Sequence, residues 1–312
     1  MATFTAADIK NLREMTGVGM MDCKKALAEA DGDMDKAVAW LREKGLAAAQ
    51  KKASRIAAEG MSYATVIDGV GVVVEVNAES DFVAKNDVFV AYVKGIAEVV
   101  AKENPADLDA LMECQFPGTG RTVKEEQNDK VLVIGENINA RRFARYAEGV
   151  SVPYIHAGGK IGVLVNMEVS AEAADKAEVT ELGKDIAMQI AAMNPNYLDK
   201  SDVDPSVLEK EREILLAQAI EENKTAAKPK PEAIIEKMVM GRVGKYYEEN
   251  CLMQQAFVKE NKVSVEKHVA EVAKQVGGSI KVNGYIRFAT GEGIEERQDD
   301  LAAEVEKLVS GK

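Results

Sequence analysis

The chain has 312 residues, of which 46% are hydrophobic, and its 40 basic and 52 acidic side chains give a formal net charge of −12. This length predicts two to four compact units, because a single core seldom grows beyond about 250–300 residues. So acidic a chain binds phosphate backbones poorly, and we expect no direct nucleic-acid partner. It shows no long apolar run and no charged-then-apolar leader, so we expect no membrane contact and a cytoplasmic location.

Residue types with reactive side chains are few and scattered. The three cysteines, Cys23, Cys114 and Cys251, lie far apart, which predicts free thiols in a reducing compartment. The histidines, His156 and His268, have no Cys or His at metal-ligand spacing. No nucleophile motif accompanies them. We therefore expect a protein that is not an enzyme and that needs no cofactor or metal.

The first 55 residues predict three short helices and a linker. Thr5 with Asp8 has the spacing of a capping box, and Asp33 suits the cap of the third helix. Gly45 is expected to end that helix. Met20 and Met21 follow one another on the short second helix, so at least one of them should be exposed.

From residue 60 the pattern changes to strands. Asp68-Gly69 between two apolar runs predicts a hairpin turn, and a helix then ends at Asn104-Pro105. The pattern recurs, with a second hairpin turning at Ala157-Gly158-Gly159 and a helix ending at Asn194-Pro195.

The spacing of these features predicts an internal duplication, although a chance match is the alternative. Val76-Asn77 precedes the first Asn-Pro pair by 28 positions, and Val165-Asn166 precedes the second by 29. A repeated supersecondary unit leaves this kind of self-similarity. We expect a core of two hairpin-plus-helix subdomains with antiparallel sheets.

A helical insertion is predicted between the second repeat and its closing elements. Asp204-Pro205 is typical of a helix start, and Lys228-Pro229-Lys230-Pro231 separates two heptad-like runs. This favours an antiparallel coiled-coil arm. The fold class is therefore α+β. The predicted segments are 1–55 (three helices and linker), 56–147 (first core subdomain), 148–200 with 260–294 (second core subdomain), 201–259 (arm) and 295–312 (C-terminal helix).

An acid and an aromatic side chain stand together after the strand Val72–Val76. Ser80 suits a helix N-cap whose hydroxyl accepts from an amide, and Asp81 suits the first turn. Phe82, so near the cap, would face outward. Alternatively, it begins an apolar stripe. The stripe would continue through Val83, Phe89, Val90 and Val93.

Two long motifs resemble a known family. Asn77–Lys85, which reads Asn-x-x-Ser-Asp-Phe-Val-Ala-Lys, is similar to the second signature of bacterial elongation factor Ts, and Leu12–Leu27 is similar to the first. The resemblance runs from about residue 3 to about residue 305. It implies a nucleotide exchange factor for the translational GTPase EF-Tu, in a one-to-one or a two-to-two complex. The three-helix segment resembles a ubiquitin-associated (UBA) domain.

The resemblance also implies roles for particular positions. Those that would disturb the magnesium ion of EF-Tu are Ser80, Asp81, Phe82 and Val83. Those that would contact EF-Tu are Lys10, Arg13, Met20, Met21, Lys24, Ile134, Gly135, His156 and Val258. Ser80 stands where Thr is commoner, and Lys259 departs from the apolar residue of some relatives.

A different class of function also fits the sequence. The chain could be a non-catalytic scaffold or a chaperone-like clamp that recruits partners through its UBA-like segment. The Asp81-Phe82 pair discriminates between the two, because a scaffold has no need to expose it.

Overall fold

A computed structural model describes residues 4–225 and 228–295 of the chain. The described part has an α+β fold, with eleven α-helices, α1–α11, and eight strands, β1–β8. It divides into two compact units: the first contains the described residues up to Arg145, Ile155–Gly162 and those from Phe288 onward, and the second contains Tyr146–Tyr154 and Val163–Arg287. Of the predicted C-terminal helix, all but Glu295 lies outside the described residues. Within the described ranges, no helix has the length and apolarity to cross a membrane.

The chain begins with three helices, as predicted. They are α1 (Ala6–Thr16), α2 (Met20–Glu29) and α3 (Met34–Lys52). Thr5 and Asp8 form the expected capping box at α1, with Asp in place of the usual Glu, and Asp33 caps α3 by accepting from the Lys36 amide.

The prediction that Gly45 ends the third helix is wrong. Helix α3 continues through this glycine to Lys52 and packs against α7 (Val123–Ile134). A Cβ at Gly45 would lie 3.2 Å from the carbonyl oxygen of Asn128. The glycine therefore permits a close approach between two helices, which offsets its poor helix propensity.

A three-stranded sheet and four helices form most of the remainder of the first unit. Strands β1 (Glu59–Ile67) and β2 (Val70–Ala78) are antiparallel, and β3 (Asn139–Tyr146) pairs with β2. Asp68 and Gly69 have φ of 51° and 83°, as the predicted hairpin turn requires. The helices are α4 (Asp81–Ala84), α5 (Asp87–Glu103), α6 (Leu108–Glu113) and α7.

The core of this unit lies between the sheet and α5. Val72, Val74 and Val76 lie on the face of β2 that packs against this helix, and all three are buried. The core includes Val72, Val74, Val76, Phe89, Tyr92, Val93 and Ile96.

The second three-stranded sheet repeats this plan. Its order is β4 (Val150–His156), β5 (Ile161–Val169) and β8 (Ile280–Ala289), and helix α8 (Ala177–Met193) follows the hairpin. Helices α5 and α8 each have 17 residues and each end at an asparagine in the left-handed region, Asn104 and Asn194, with φ of 49° and 44°. Each of these two sheets is thus accompanied by a 17-residue helix that follows its hairpin, which is the arrangement that the predicted repeat requires.

Two antiparallel helices follow α8. They are α9 (Pro205–Lys224), capped by Asp204 as predicted, and α10 (Glu232–Asn250). A small cluster of Leu215, Ala219, Ile235 and Val239 joins them. Between α10 and β8 lie β6 (Ala256–Phe257), β7 (Glu260–Ser264) and α11 (Val265–Val276). The sequence analysis did not predict the short β6–β7 hairpin.

Candidate functional site

The ring of Phe82 faces solvent. It is 82% exposed, whereas the next residues on α4, Val83 and Ala84, are 7% and 9% exposed and pack inward. The apolar stripe predicted as an alternative therefore begins at Val83. Phe82 belongs to the surface, and among the residues that the structure describes it is the most exposed of the large hydrophobic side chains.

Ser80 holds the turn by a different bond from the one predicted. It occupies the N-cap position, but its hydroxyl donates to Oε1 of Glu136 at 2.6 Å instead of accepting from an amide of α4. Oε2 of Glu136 accepts from the backbone amides of Glu79 and Ser80, both at 3.0 Å. A carboxylate is a stronger acceptor than a neutral group, which explains why the hydroxyl turns toward it.

Glu79 completes the connection in the reverse direction. Its Oε1 accepts from the backbone amide of Asn137 at 2.6 Å and lies 3.4 Å from the guanidinium of Arg55. Residues 79–80 and 136–137 thus clamp each other through two carboxylates. We call this arrangement the Glu79–Glu136 clamp. It fixes the backbone from which Phe82 projects.

Asp81 keeps an accessible carboxylate. It lies 3.6 Å from the ammonium of Lys85, with side chains 51% and 78% exposed. Such surface pairs are worth between about 0 and 1 kcal/mol. Asp81 can therefore leave Lys85 for another cation at little cost.

The end of α7 lies beside this turn. Ile134 is half-buried, and Gly135 ends the helix in the left-handed region with φ of 89°. Together with the turn, Ile134 borders a shallow hollow. Its lining consists of Ser80, Phe82, Val83, Asn86, Val88, Val133, Ile134 and Glu136.

The five N-terminal positions that the resemblance singles out are all exposed. Met20 and Met21 are 52% and 67% exposed, so both face outward where the sequence required only one. Lys10, Arg13 and Lys24 are also exposed. The sequence analysis did not single out Met15, which adds a third exposed methionine, at 60%, to the same three-helix segment.

The two signature motifs meet at the end of α7. Leu132 and Val133 pack against the core of the three helices, and a Cβ at Gly17 would lie 3.8 Å from Cγ1 of Val133. Val133 also borders the hollow beside Phe82. The loop of the first motif and the turn of the second therefore flank one side chain, which no local sequence pattern indicates.

The last two predicted contact residues lie elsewhere. His156 is exposed at the end of β4 and belongs to the first unit. Val258, 44% exposed, lies in the second unit at the β6–β7 turn, where its amide donates to Oε1 of Gln189 at 2.8 Å. The neighbouring Lys259 donates to Asp185 at 2.6 Å, which explains a charged residue at this position.

The buried cysteine side chains are poor nucleophiles. The three cysteines are free thiols, and burial raises the pKa of Cys23 and raises that of Cys251 to about 11. Thiols with raised pKa stay protonated and weakly nucleophilic. Among the residues that the structure describes, no cluster of His, Cys, Asp or Glu could hold a metal ion.

Comparison with known proteins identifies the family of the chain. The model of the family described as Elongation factor TS matches residues 79–292. The chain is 49% identical over 306 residues to elongation factor Ts of Syntrophotalea carbinolica, covering 97% of this chain and 98% of that protein. The chain belongs to the elongation factor Ts family. Elongation factor Ts of Magnetococcus marinus is 48% identical over 309 residues, and that of Rhodospirillum centenum is 50% identical over 315.

Membership assigns the chain to the elongation step of protein biosynthesis. The matched region of the family model begins at Glu79 and so includes the whole acid–aromatic turn and the Glu79–Glu136 clamp. The alignments to the three relatives cover 97 to 99% of this chain, so the three-helix segment belongs to the shared part as well.

Proposed function

We propose that the chain binds EF-Tu·GDP and promotes the release of GDP by disturbing the magnesium and phosphate site of that GTPase. Nucleotide-free EF-Tu would be stabilised until GTP binds. The observation that carries this proposal is the exposure of the Phe82 ring, at 82%, beside the accessible carboxylate of Asp81. The chain would act as an exchange factor and not as an enzyme.

Linkage sets the condition for such a function. A protein accelerates nucleotide release only if it binds the nucleotide-free state more tightly than the GDP-bound state. Phe82 would insert between side chains of EF-Tu and move the segment that positions the metal's water ligands. Asp81 would add negative potential where the magnesium ion and the β-phosphate hold each other.

The size of the Phe82 effect is bounded. Burying one phenylalanine side chain stabilises a complex by up to about 3 kcal/mol. Because each tenfold in rate requires about 1.4 kcal/mol, insertion of this ring supports an acceleration of about a hundredfold. Any larger effect requires the rest of the interface. We assign to it Lys10, Arg13, Met20, Met21, Lys24, Ile134, Gly135, His156 and Val258.

The Phe82 ring must also be held rigidly if it is to insert between side chains of EF-Tu. A side chain on a flexible loop would lose conformational entropy on insertion, which reduces the binding free energy. Val83 is anchored in the core, and the Glu79–Glu136 clamp fixes the backbone before the ring. Ser80 and Val83 would therefore take part in disturbing the magnesium ion by holding Phe82 in place.

The remaining parts of the proposal concern the flanking segments. Residues 1–55 would form a UBA-like domain that docks on the nucleotide domain of EF-Tu, and α9 with α10 would form an antiparallel coiled-coil arm. The core subdomains would extend over 56–147 and over 148–200 with 260–294. We place the protein in the cytoplasm with its partner, in a one-to-one or a two-to-two complex.

The test follows a fluorescent GDP analogue on EF-Tu by stopped flow, with and without the chain. The proposal predicts a release rate that rises with the concentration of the chain and saturates. It also predicts that added magnesium slows the accelerated release, since the metal is what the factor displaces. Saturable binding to EF-Tu without faster GDP release would instead support the alternative function, a non-catalytic scaffold or chaperone-like protein, and refute the exchange function.

A further inference from the structure

A short segment near the end of the described chain holds the hairpin turn that carries His156. We call residues 289–292 the clip. The amide of Thr290 donates to the carbonyl of Lys160 at 2.9 Å, and the Thr290 hydroxyl donates to the carbonyl of Gly159 at 2.8 Å. Both carbonyls belong to the turn between β4 and β5, immediately after His156.

Strand β1 supports the same turn from beneath. The hydroxyl oxygen of Ser62, a fully buried residue, lies 2.8 Å from that of Thr290. Because the single hydroxyl proton of Thr290 goes to Gly159, Ser62 is the donor in this pair. A Cβ at Gly159 would lie 2.6 Å from Cγ of Met61, so the turn rests directly on β1.

The other side of the clip is fixed to a buried carboxylate. The amide of Gly291 donates to Oε1 of Glu75 at 2.8 Å, and Arg141 donates to the same oxygen at 2.9 Å. Arg142 bonds the second oxygen and also donates to the carbonyl of Ala289 at 3.1 Å. Burial acts to raise the pKa of Glu75, but the Gly291 amide and the two guanidiniums together lower it below its usual value.

The backbone of the clip leaves no room for displacement. Gly291 has φ of 77°, and a Cβ there would lie 2.1 Å from the carbonyl oxygen of Ala58. Only glycine fits this approach without shifting the backbone. We call the hydrogen bonds of Glu75 with Gly291, Arg141 and Arg142 the Glu75 network. The clip is therefore held between the start of β1, this network and the hairpin turn.

We infer that Thr290 is a positioning residue for the partner contact made by His156, and that the Glu75 network sets the place of Thr290. The inference rests on the proposed function for the role of His156, and it adds two positions that the sequence motifs do not include. His156 is exposed on a turn whose two carbonyls are bonded by one side chain and one amide of the clip. Loss of the Thr290 hydroxyl would release one of them and let the turn move.

The test compares three variants of the full chain. Thr290→Val removes the hydroxyl and keeps the shape, Thr290→Ser keeps the hydroxyl, and Thr65→Val makes the same change at a half-buried position outside the clip. Hydrogen exchange of the free chain is followed by mass spectrometry over Ile155–Gly162. We expect faster exchange in Thr290→Val alone. Equal exchange in Thr290→Val and wild type would overturn the inference without reference to EF-Tu.

The second readout is the concentration of the chain that half-saturates GDP release from EF-Tu. We expect it to rise about fivefold for Thr290→Val, the ratio for loss of one hydrogen bond, and to stay near wild type for Thr290→Ser. In a chain that already carries His156→Ala, Thr290→Val should have no further effect. Equal effects in both backgrounds would overturn the positioning role. Failure of the wild-type chain to accelerate GDP release would instead overturn the proposed function. The hydrogen-exchange measurement would then still test whether Thr290 holds the turn.

Discussion

The hydroxyl oxygen of Ser80 lies 2.6 Å from Oε1 of Glu136, a residue 56 positions farther along the chain. The other oxygen of the same carboxylate accepts from the amides of Glu79 and Ser80. One acidic side chain after α7 thus fixes the turn that presents Phe82. The backbone that orients Phe82 is therefore held by a residue outside both signature motifs.

Glu136→Gln should loosen this turn. The amide group of glutamine would place N–H donors against the backbone amides of Glu79 and Ser80, and lost bonds to a charged group cost about 1.5–3 kcal/mol each. We expect a lower melting temperature and a maximal rate of GDP release reduced about tenfold, with Phe82 unchanged. Glu125→Gln, at an exposed position of α7, serves as the control. If Glu136→Gln reaches the wild-type maximal rate, the clamp does not position the ring.

Glu75 should give the protein a defined dependence on acid. Its pKa is lowered in the folded state, so the folded chain binds fewer protons than the unfolded chain in acid. This contribution to stability is present above the usual pKa of glutamate and is lost as the pH falls through the lowered value. We expect Glu75→Gln to reduce the free energy of unfolding by about 3 kcal/mol near neutral pH.

The difference between Glu75→Gln and wild type should stay constant from neutral pH down to the usual pKa of glutamate and shrink below it, because the wild-type carboxylate takes up a proton as the pH falls through its lowered pKa. Urea unfolding at a series of pH values measures this difference. A difference that stays constant below the usual pKa as well would show that the charge of Glu75 contributes nothing.

Signals that act over a few residues predicted most of the fold. Asp68-Gly69 forms the expected turn because Asp and Gly tolerate positive φ. Asn104 and Asn194 end their helices for the same reason. The prediction that Gly45 ends a helix is wrong because the role of this glycine depends on the carbonyl of Asn128, a distant residue that no local pattern reveals.

The candidate site was predictable only in part. Position near a helix start allowed Phe82 to face either way, and only the packing of Val83 decides between them. The motifs marked the exposed methionines but not Glu136 or Thr290, whose bonds join residues more than fifty positions apart. The β6–β7 hairpin was missed because β6 has only two residues, too few for an alternating pattern.

Met20→Ala combined with Met21→Ala should weaken association with EF-Tu more than it lowers the maximal rate. Both side chains are more than half exposed, so the fold should be nearly unchanged. Flexible thioethers suit protein contacts, and loss of two of them should raise the half-saturating concentration about tenfold. Met193→Ala, 48% exposed on α8, is the matched control. A half-saturating concentration equal to that of wild type would remove these residues from the interface.

Lys259 should contribute to the stability of the β6–β7 turn. Its ammonium lies 2.6 Å from Oδ1 of Asp185, a side chain only 11% exposed that also faces His268 at 3.7 Å. Lys259→Met should lower the free energy of unfolding by about 1.5 kcal/mol. A double-mutant cycle with Asp185→Asn isolates the pair. Strict additivity in that cycle would mean that Lys259 and Asp185 do not interact energetically.

The rate of GDP release from EF-Tu, measured at saturating concentrations of wild type, Phe82→Ala and Phe82→Leu, tests the central claim most directly. Because the ring is 82% exposed, neither variant should change the melting temperature of the free chain. The account predicts that Phe82→Ala lowers the saturated rate by up to about a hundredfold and that Phe82→Leu, which keeps most of the apolar volume, loses much less. A saturated rate for Phe82→Ala equal to that of wild type would contradict it.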